Sequence, residues 1–104
     1  MLPQIIQEFE SRNPGVASFE TFAAECMAAM KKDSGNASIF LMLALAARQF
    51  YERFADQPLT VAEAEESRDA MLALARAAGE AIGGDAGGKL DVLNDIAMRN
   101  FSAA

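Results

Sequence analysis

The chain has 104 residues, of which 52% are hydrophobic and 23% are charged, a composition that excludes a disordered polymer and predicts one folded helical domain over residues 1–104. Its formal net charge is -6, and its nine basic residues are scattered along the chain. This distribution excludes the basic stripe that replaces phosphate counterions, so we expect neither nucleic acid nor a membrane as a partner.

The N-terminal sequence, the apolar runs and the counts of histidine and cysteine limit the cellular locations and the kinds of site that we expect. The N-terminus has no basic segment of the kind that begins a secretory signal. The longest apolar run, residues 39–47, is much shorter than the roughly 20 residues of a membrane-spanning helix. We therefore expect a cytoplasmic protein. Because there is no histidine and Cys26 is the single cysteine, we expect no disulfide, no zinc site and no cofactor.

Alanine is abundant and no alternating β-branched run occurs, so the whole chain is predicted to be helical. Apolar residues recur at helical spacing in five segments, separated by proline, glycine and asparagine. The predicted helices cover approximately residues 2–11, 19–32, 39–54, 61–82 and 89–101. Ser18 and Ser38 are predicted N-caps of the second and third helices, and Thr60 with Glu63 forms a predicted capping box for the fourth.

Each of the longer helices has a predicted inward face. In the second helix this face consists of Phe19, Phe22, Ala23, Cys26, Met27 and Met30. In the third it consists of Ile39, Phe40, Leu43, Ala44, Ala47, Phe50, Tyr51 and Phe54. In the fourth it consists of Val61, Ala64, Met71, Leu72, Ala75, Ala78 and Ile82, and in the fifth of Leu90, Leu93, Ile96, Ala97 and Phe101. Short connections favour antiparallel neighbours, so we expect an all-α, up-down bundle of four main helices, with the short N-terminal helix packed across one end.

The acidic residues at the start of the fourth helix are candidate magnesium ligands. Glu63, Glu66 and Asp69 follow one another at i, i+3 spacing, and carboxylates so placed can hold magnesium in all-helical hydrolases. Asp91 and Asp95 of the fifth helix could supply further ligands. They lie closer to the turn between the two helices than Glu63, Glu66 and Asp69 do, so the two acidic groups are not expected to meet. Carboxylates near a helix N-terminus are also favoured by the helix dipole without any metal.

Residues 83–90 partly match a phosphate-binding loop. The segment has the G-x-x-x-x-G-K pattern, but Leu90 stands where that loop needs a serine or threonine for its metal. A helix rather than a buried strand precedes it, so we interpret the segment as a connector.

A second apolar patch on the third helix predicts self-association. Leu41, Met42 and Leu45 lie on the side whose C-terminal half is polar, so they need cover from the N-terminal helix or from another molecule. We expect a homodimer across a two-fold axis, with Arg48 and Glu52 pairing at the edge of the contact.

Two functions remain after these exclusions. The first is a protein interaction, regulatory or assembly module that acts on another protein through a helical surface and has no catalytic residues. The alternative is a magnesium-dependent, all-α hydrolase of the nucleotide pyrophosphatase type that uses the acidic cluster of the fourth helix. The absence of histidine removes the commonest general base and favours the first.

Overall fold

A computed structural model describes residues 1–101 of the chain. The helices in this part are α1 (Leu2–Ser11), α2 (Val16–Lys32), α3 (Ala37–Phe54), α4 (Val61–Ile82) and α5 (Ala86–Phe101), with a short 3-10 helix at Ser34–Asn36. The prediction of a small all-α helical bundle is confirmed. None of the helices between residues 1 and 101 combines the length and the apolar character needed to cross a membrane.

The closest pairing in the bundle is the hairpin of α2 and α3. Phe19 near the start of α2 stacks on Phe50 near the end of α3, so the two helices run antiparallel. The connection is tightened by Asn36, whose side-chain amide donates to the Asp33 carboxylate over 2.9 Å. Small alanines on both helices, including the buried Ala29 and Ala47, allow this close approach.

Helix α1 has a larger structural role than the expected cover across one end of the bundle. It lies antiparallel to α2, with the Phe9 ring 5.1 Å from the Phe19 ring and 4.8 Å from the Phe22 ring, measured between centroids. It also packs on α4, where Arg76 donates to Glu10 over 2.6 Å. The reason is that its apolar positions extend along its whole length, so it must bury one complete face.

Helix α3 lies at the centre of the fold and packs against α2, α4 and α5. Helix α5 packs on both α3 and α4, and the Gln49 side chain of α3 donates to the main-chain carbonyl of Asn100 near the end of α5. The C-terminal ends of α3 and α5 therefore lie side by side, with the middle of α4 next to them. This arrangement positions the site described below.

The helix bounds confirm some predicted caps and correct others. The Thr60 capping box is present, with the Glu63 N–H donating to Thr60 Oγ1 over 3.1 Å. Ser18 is not an N-cap: α2 begins at Val16, and Ser18 is buried inside its first turn. Ser38 is not a cap either, because the 3-10 helix leads directly into α3 at Ala37.

Helix α5 begins three residues before the predicted start at Lys89. The Asp85 carboxylate accepts the main-chain N–H of Gly88 over 2.8 Å, the bond that an N-cap side chain makes. This cap offsets the unfavourable helix propensity of Gly87 and Gly88, which the sequence-based prediction weighted too heavily.

The predicted core faces are right at most positions and wrong at four. Val61, Leu90, Phe101 and Met27 were expected inside but are 74%, 57%, 42% and 39% exposed, respectively. Val61 is the first residue of α4, where the neighbouring helices do not cover it. Helix α5 is rotated relative to the prediction, because the buried residues Val92 and Ile96 set its inward face, and Val92 was not predicted.

Candidate functional site

The candidate metal ligands Glu63, Glu66 and Asp69 are not brought together in this structure. Glu63 is engaged in the capping box, and its carboxylate accepts from the Thr60 hydroxyl over 2.9 Å. Asp69 accepts from Arg68 over 3.1 Å, and Glu66 is exposed to solvent. In the described part of the chain, no three acidic, histidine or cysteine side chains are grouped so that they could hold a metal ion.

The predicted dimer patch is partly covered by the chain itself. Leu41 is 37% exposed, Leu45 is half-buried, and Met42 packs against the core. Arg48 and Glu52, which were expected to pair between two molecules, form an i, i+4 salt bridge of 2.6 Å within one chain. The patch therefore offers less free apolar surface than the sequence suggests.

Cys26 and the glycine-rich segment have structural roles. Cys26 is buried in the core, and burial, with a smaller effect of the adjacent Glu25 carboxylate, raises the pKa of its thiol to about 12. A thiol in this environment stays protonated and is a poor nucleophile. At the glycine-rich segment, the Asp85 carboxylate occupies the N-terminus of α5, where a phosphate would have to bind.

A cavity of about 590 Å³ lies between the ends of α3 and α5 and the middle of α4, and we call it the groove. Its lining consists of Phe19, Ala46, Gln49, Phe50, Arg53, Phe54, Ser67, Ala70, Met71, Ala73, Leu74, Arg99 and Asn100. This site is not predicted by the sequence. Helical periodicity assigns Phe50 and Phe54 to the core face of α3, whereas the structure leaves both only partly buried.

An aromatic row forms the floor of the groove. The Phe19 and Phe50 rings stack with centroids 3.8 Å apart, and the Phe54 ring lies 4.9 Å from that of Phe50. The buried side chains of Met71 and Leu74 extend the apolar floor onto α4. Because Phe19 is fully buried while Phe50 and Phe54 are not, the row runs from the core out to the surface.

Two arginines provide the charge of the groove. The Arg53 guanidinium lies 5.2 Å from the centroid of the Phe54 ring, a cation–π contact, and forms no salt bridge with any carboxylate of residues 1–101. Arg99 donates to Asp95 over 2.9 Å. No acidic residue occurs among the described residues that line the groove, so this surface is locally positive on an acidic protein.

Asn100 adds a buried polar group to the lining. Its main-chain carbonyl accepts from Gln49, and its side-chain Oδ1 is buried and has no hydrogen-bond partner among residues 1–101. Because this oxygen is not exposed, a ligand in the groove does not reach it in this structure.

The described lining of the groove offers an apolar floor and two cations. It contains one hydroxyl, that of Ser67, and no histidine, cysteine or carboxylate to activate it. No family model, curated protein or solved structure matches the chain.

Proposed function

We propose that this protein is a protein interaction module that docks a segment of another protein in the groove between α3, α4 and α5. The observation that carries the proposal is the apolar cavity of about 590 Å³, with its aromatic floor and its positively charged rim. This volume falls in the range of about 300–1,000 Å³ that is typical of ligand sites, and it can accept large side chains.

The energetic basis is the apolar surface that the floor leaves open to water. Phe50 and Phe54 are only partly buried, and aromatic side chains are the usual anchors of protein interfaces. Covering them yields about 25 cal/mol for each Å² of apolar surface removed from water. The Phe50 ring contacts the Phe19 ring on one side and the Phe54 ring on the other, so little ordering of Phe50 is needed on binding.

The magnesium-dependent hydrolase is not carried further. Its candidate ligands Glu63, Glu66 and Asp69 are engaged elsewhere or stand apart, and none of them lines the groove. No specific contact in the described residues favours this second function.

The homodimer and the cytoplasmic location both stay predictions. The exposed part of Leu41 supports a contact between two copies, and light scattering at micromolar concentration measures the assembly state. A dimer that becomes a folded monomer on the Leu45→Glu substitution would support an interface at Leu41, Met42 and Leu45. A parent protein that is already a monomer would contradict it.

The experiment that tests the proposed function is a selection from a random peptide library displayed on phage, followed by fluorescence anisotropy with the recovered peptides. Ala73 is an exposed alanine of α4 that lines the groove, so Ala73→Trp fills the groove without entering the core. Ala24 is an exposed alanine of α2 outside the groove, and Ala24→Trp is the matched control.

We expect Ala73→Trp to weaken peptide binding by about tenfold or more, while Ala24→Trp leaves it unchanged. A selection that recovers no binding peptide, or peptides that bind both variants as well as the parent protein, would contradict the proposed function. Circular dichroism and thermal melting of both variants verify that each has retained the helical fold.

A further inference from the structure

We infer, on the basis of the proposed function, that the groove selects a peptide segment in which a large apolar side chain lies close to a carboxylate, and that Arg53 recognises the carboxylate. The apolar side chain packs on Phe50 and Phe54, and the carboxylate of the partner meets the Arg53 guanidinium at the rim. Arg53 thus becomes a specificity-determining residue of the interaction.

The charge distribution supports an acidic partner. The chain carries a net charge of -6, yet both charged residues that line the groove, Arg53 and Arg99, are cationic. Arg99 forms a salt bridge with Asp95, whereas Arg53 has no carboxylate partner in residues 1–101. The Phe54 ring contacts the Arg53 guanidinium without neutralising it, so no ion pair within residues 1–101 offsets this positive charge.

The same distribution disfavours other occupants. A basic segment would place like charge against Arg53 and Arg99. A strongly polar segment would leave the aromatic floor of the groove uncovered. A carboxylate next to an apolar side chain satisfies both parts of the groove at once. It can also form a charge-assisted, two-pronged contact with a guanidinium.

The occupant is a peptide segment of a partner protein, as in the proposed function, and Arg53 specifies a carboxylate in that segment. A free fatty acid also combines an apolar chain with a carboxylate, so decanoate is included in the test.

The test is a charge reversal at Arg53 with a matched control on the same helix. Arg53→Glu reverses the charge at the rim, and Arg48→Glu reverses a charge at an exposed position of α3 that does not line the groove, where it also breaks the salt bridge with Glu52. Both variants and the parent protein are titrated with a selected peptide and with versions whose acidic residue is replaced by glutamine or by lysine. Arg53→Gln provides a milder variant if the reversal perturbs folding.

For the parent protein, we expect the selected peptides to be enriched in aspartate or glutamate beside a large apolar residue. Replacement of that acid by glutamine should weaken binding by about tenfold. Arg53→Glu should weaken binding of the acidic peptide by a similar factor and strengthen binding of the lysine version. Arg48→Glu should change neither affinity by more than about twofold. Added salt should reduce the preference for the acidic peptide, since exposed charges are screened.

The outcomes separate the two proposals. The recognition role of Arg53 would be overturned if peptides bind in the groove without a preference for an acidic residue. It would also be overturned if Arg48→Glu and Arg53→Glu change the peptide affinity equally. Either result would leave the proposed function standing. Failure to recover any peptide would overturn both. Binding of decanoate, measured by calorimetry and abolished by Ala73→Trp, in the absence of any peptide binding would show that the groove is a site for free amphiphiles.

Discussion

Phe19 on α2 and Phe50 on α3 stack with their ring centroids 3.8 Å apart. Phe19 is fully buried, while Phe50 is partly open and continues into the groove floor with Phe54. This one aromatic contact thus holds the start of α2 against the end of α3, and it also forms part of the groove floor. Stability and binding are expected to be coupled at this position.

The first prediction concerns this stack. Phe50→Ala should lower the free energy of unfolding by about 3 kcal/mol, through lost burial and the space left behind. A double-mutant cycle with Phe19→Leu should show a coupling of about 1 kcal/mol, the value of a favourable aromatic pair. Urea unfolding monitored by circular dichroism measures all four proteins. Strictly additive effects would show that the two rings do not interact in solution.

The second prediction tests the caps. Thr60→Ala should destabilise the protein by about 1 kcal/mol, because it removes the acceptor for the Glu63 N–H. Ser38→Ala is the matched control: Ser38 is exposed inside the first turn of α3, and no side-chain cap bond is made there, so its loss should cost almost nothing. Equal denaturation midpoints for the Thr60→Ala variant and the parent protein would place the start of α4 elsewhere.

The third prediction concerns the contact of α1 with α4. Gly79 lies inside α4, and a Cβ added there would be 3.7 Å from Leu2 Cδ2, an ordinary packing distance. Gly79→Ala should therefore raise the free energy of unfolding by up to about 1 kcal/mol through helix propensity. Thermal melting measures the change. A lower stability would show that α1 packs more tightly on α4 than this distance indicates.

The fourth prediction is a pH dependence from Cys26. Burial raises the pKa of this thiol to about 12 in the folded protein, while an unfolded chain has a cysteine pKa of about 8.5. Below the lower value both states keep the proton. Between the two values the unfolded state loses it and the folded state does not, so stability falls as pH rises.

Cys26→Ala removes this contribution and leaves every other ionisable group of the chain in place. The free energy of unfolding should therefore fall less steeply from about pH 8.5 to pH 11 in the variant than in the parent protein. Equal slopes would mean that the thiol is open to solvent, and rapid reaction of the native protein with a thiol reagent would agree with that.

The helical class and most helix bounds could be predicted because they depend on local sequence. The stop at residues 12–15, the Thr60 capping box and the end of α4 at Ile82 each follow from a few adjacent residues. The start of α5 was missed for a local reason as well: the glycines after Asp85 suggest a loop, but the Asp85 cap outweighs them.

The groove could not be predicted because it depends on how the ends of α3 and α5 lie against the middle of α4. Helical periodicity assigns Phe50 and Phe54 to the inward face of α3, and it does not show that α4 and α5 leave their outer edges uncovered. The one usable signal was that Arg53 directly precedes Phe54 at the end of the helix. The rotation of α5 that exposes Leu90 and buries Val92 is likewise a matter of tertiary packing.

The most direct test of the groove as a docking site is a nuclear magnetic resonance titration of the ¹⁵N-labelled protein with a peptide recovered in the selection. The proposed function predicts that the largest amide shift changes lie at the ends of α3 and α5 and at the middle of α4, around Phe54, Asn100 and Leu74. Shift changes centred instead on Leu41 and Leu45, or on the surface shared by α1 and α2, with none around the groove, would contradict it.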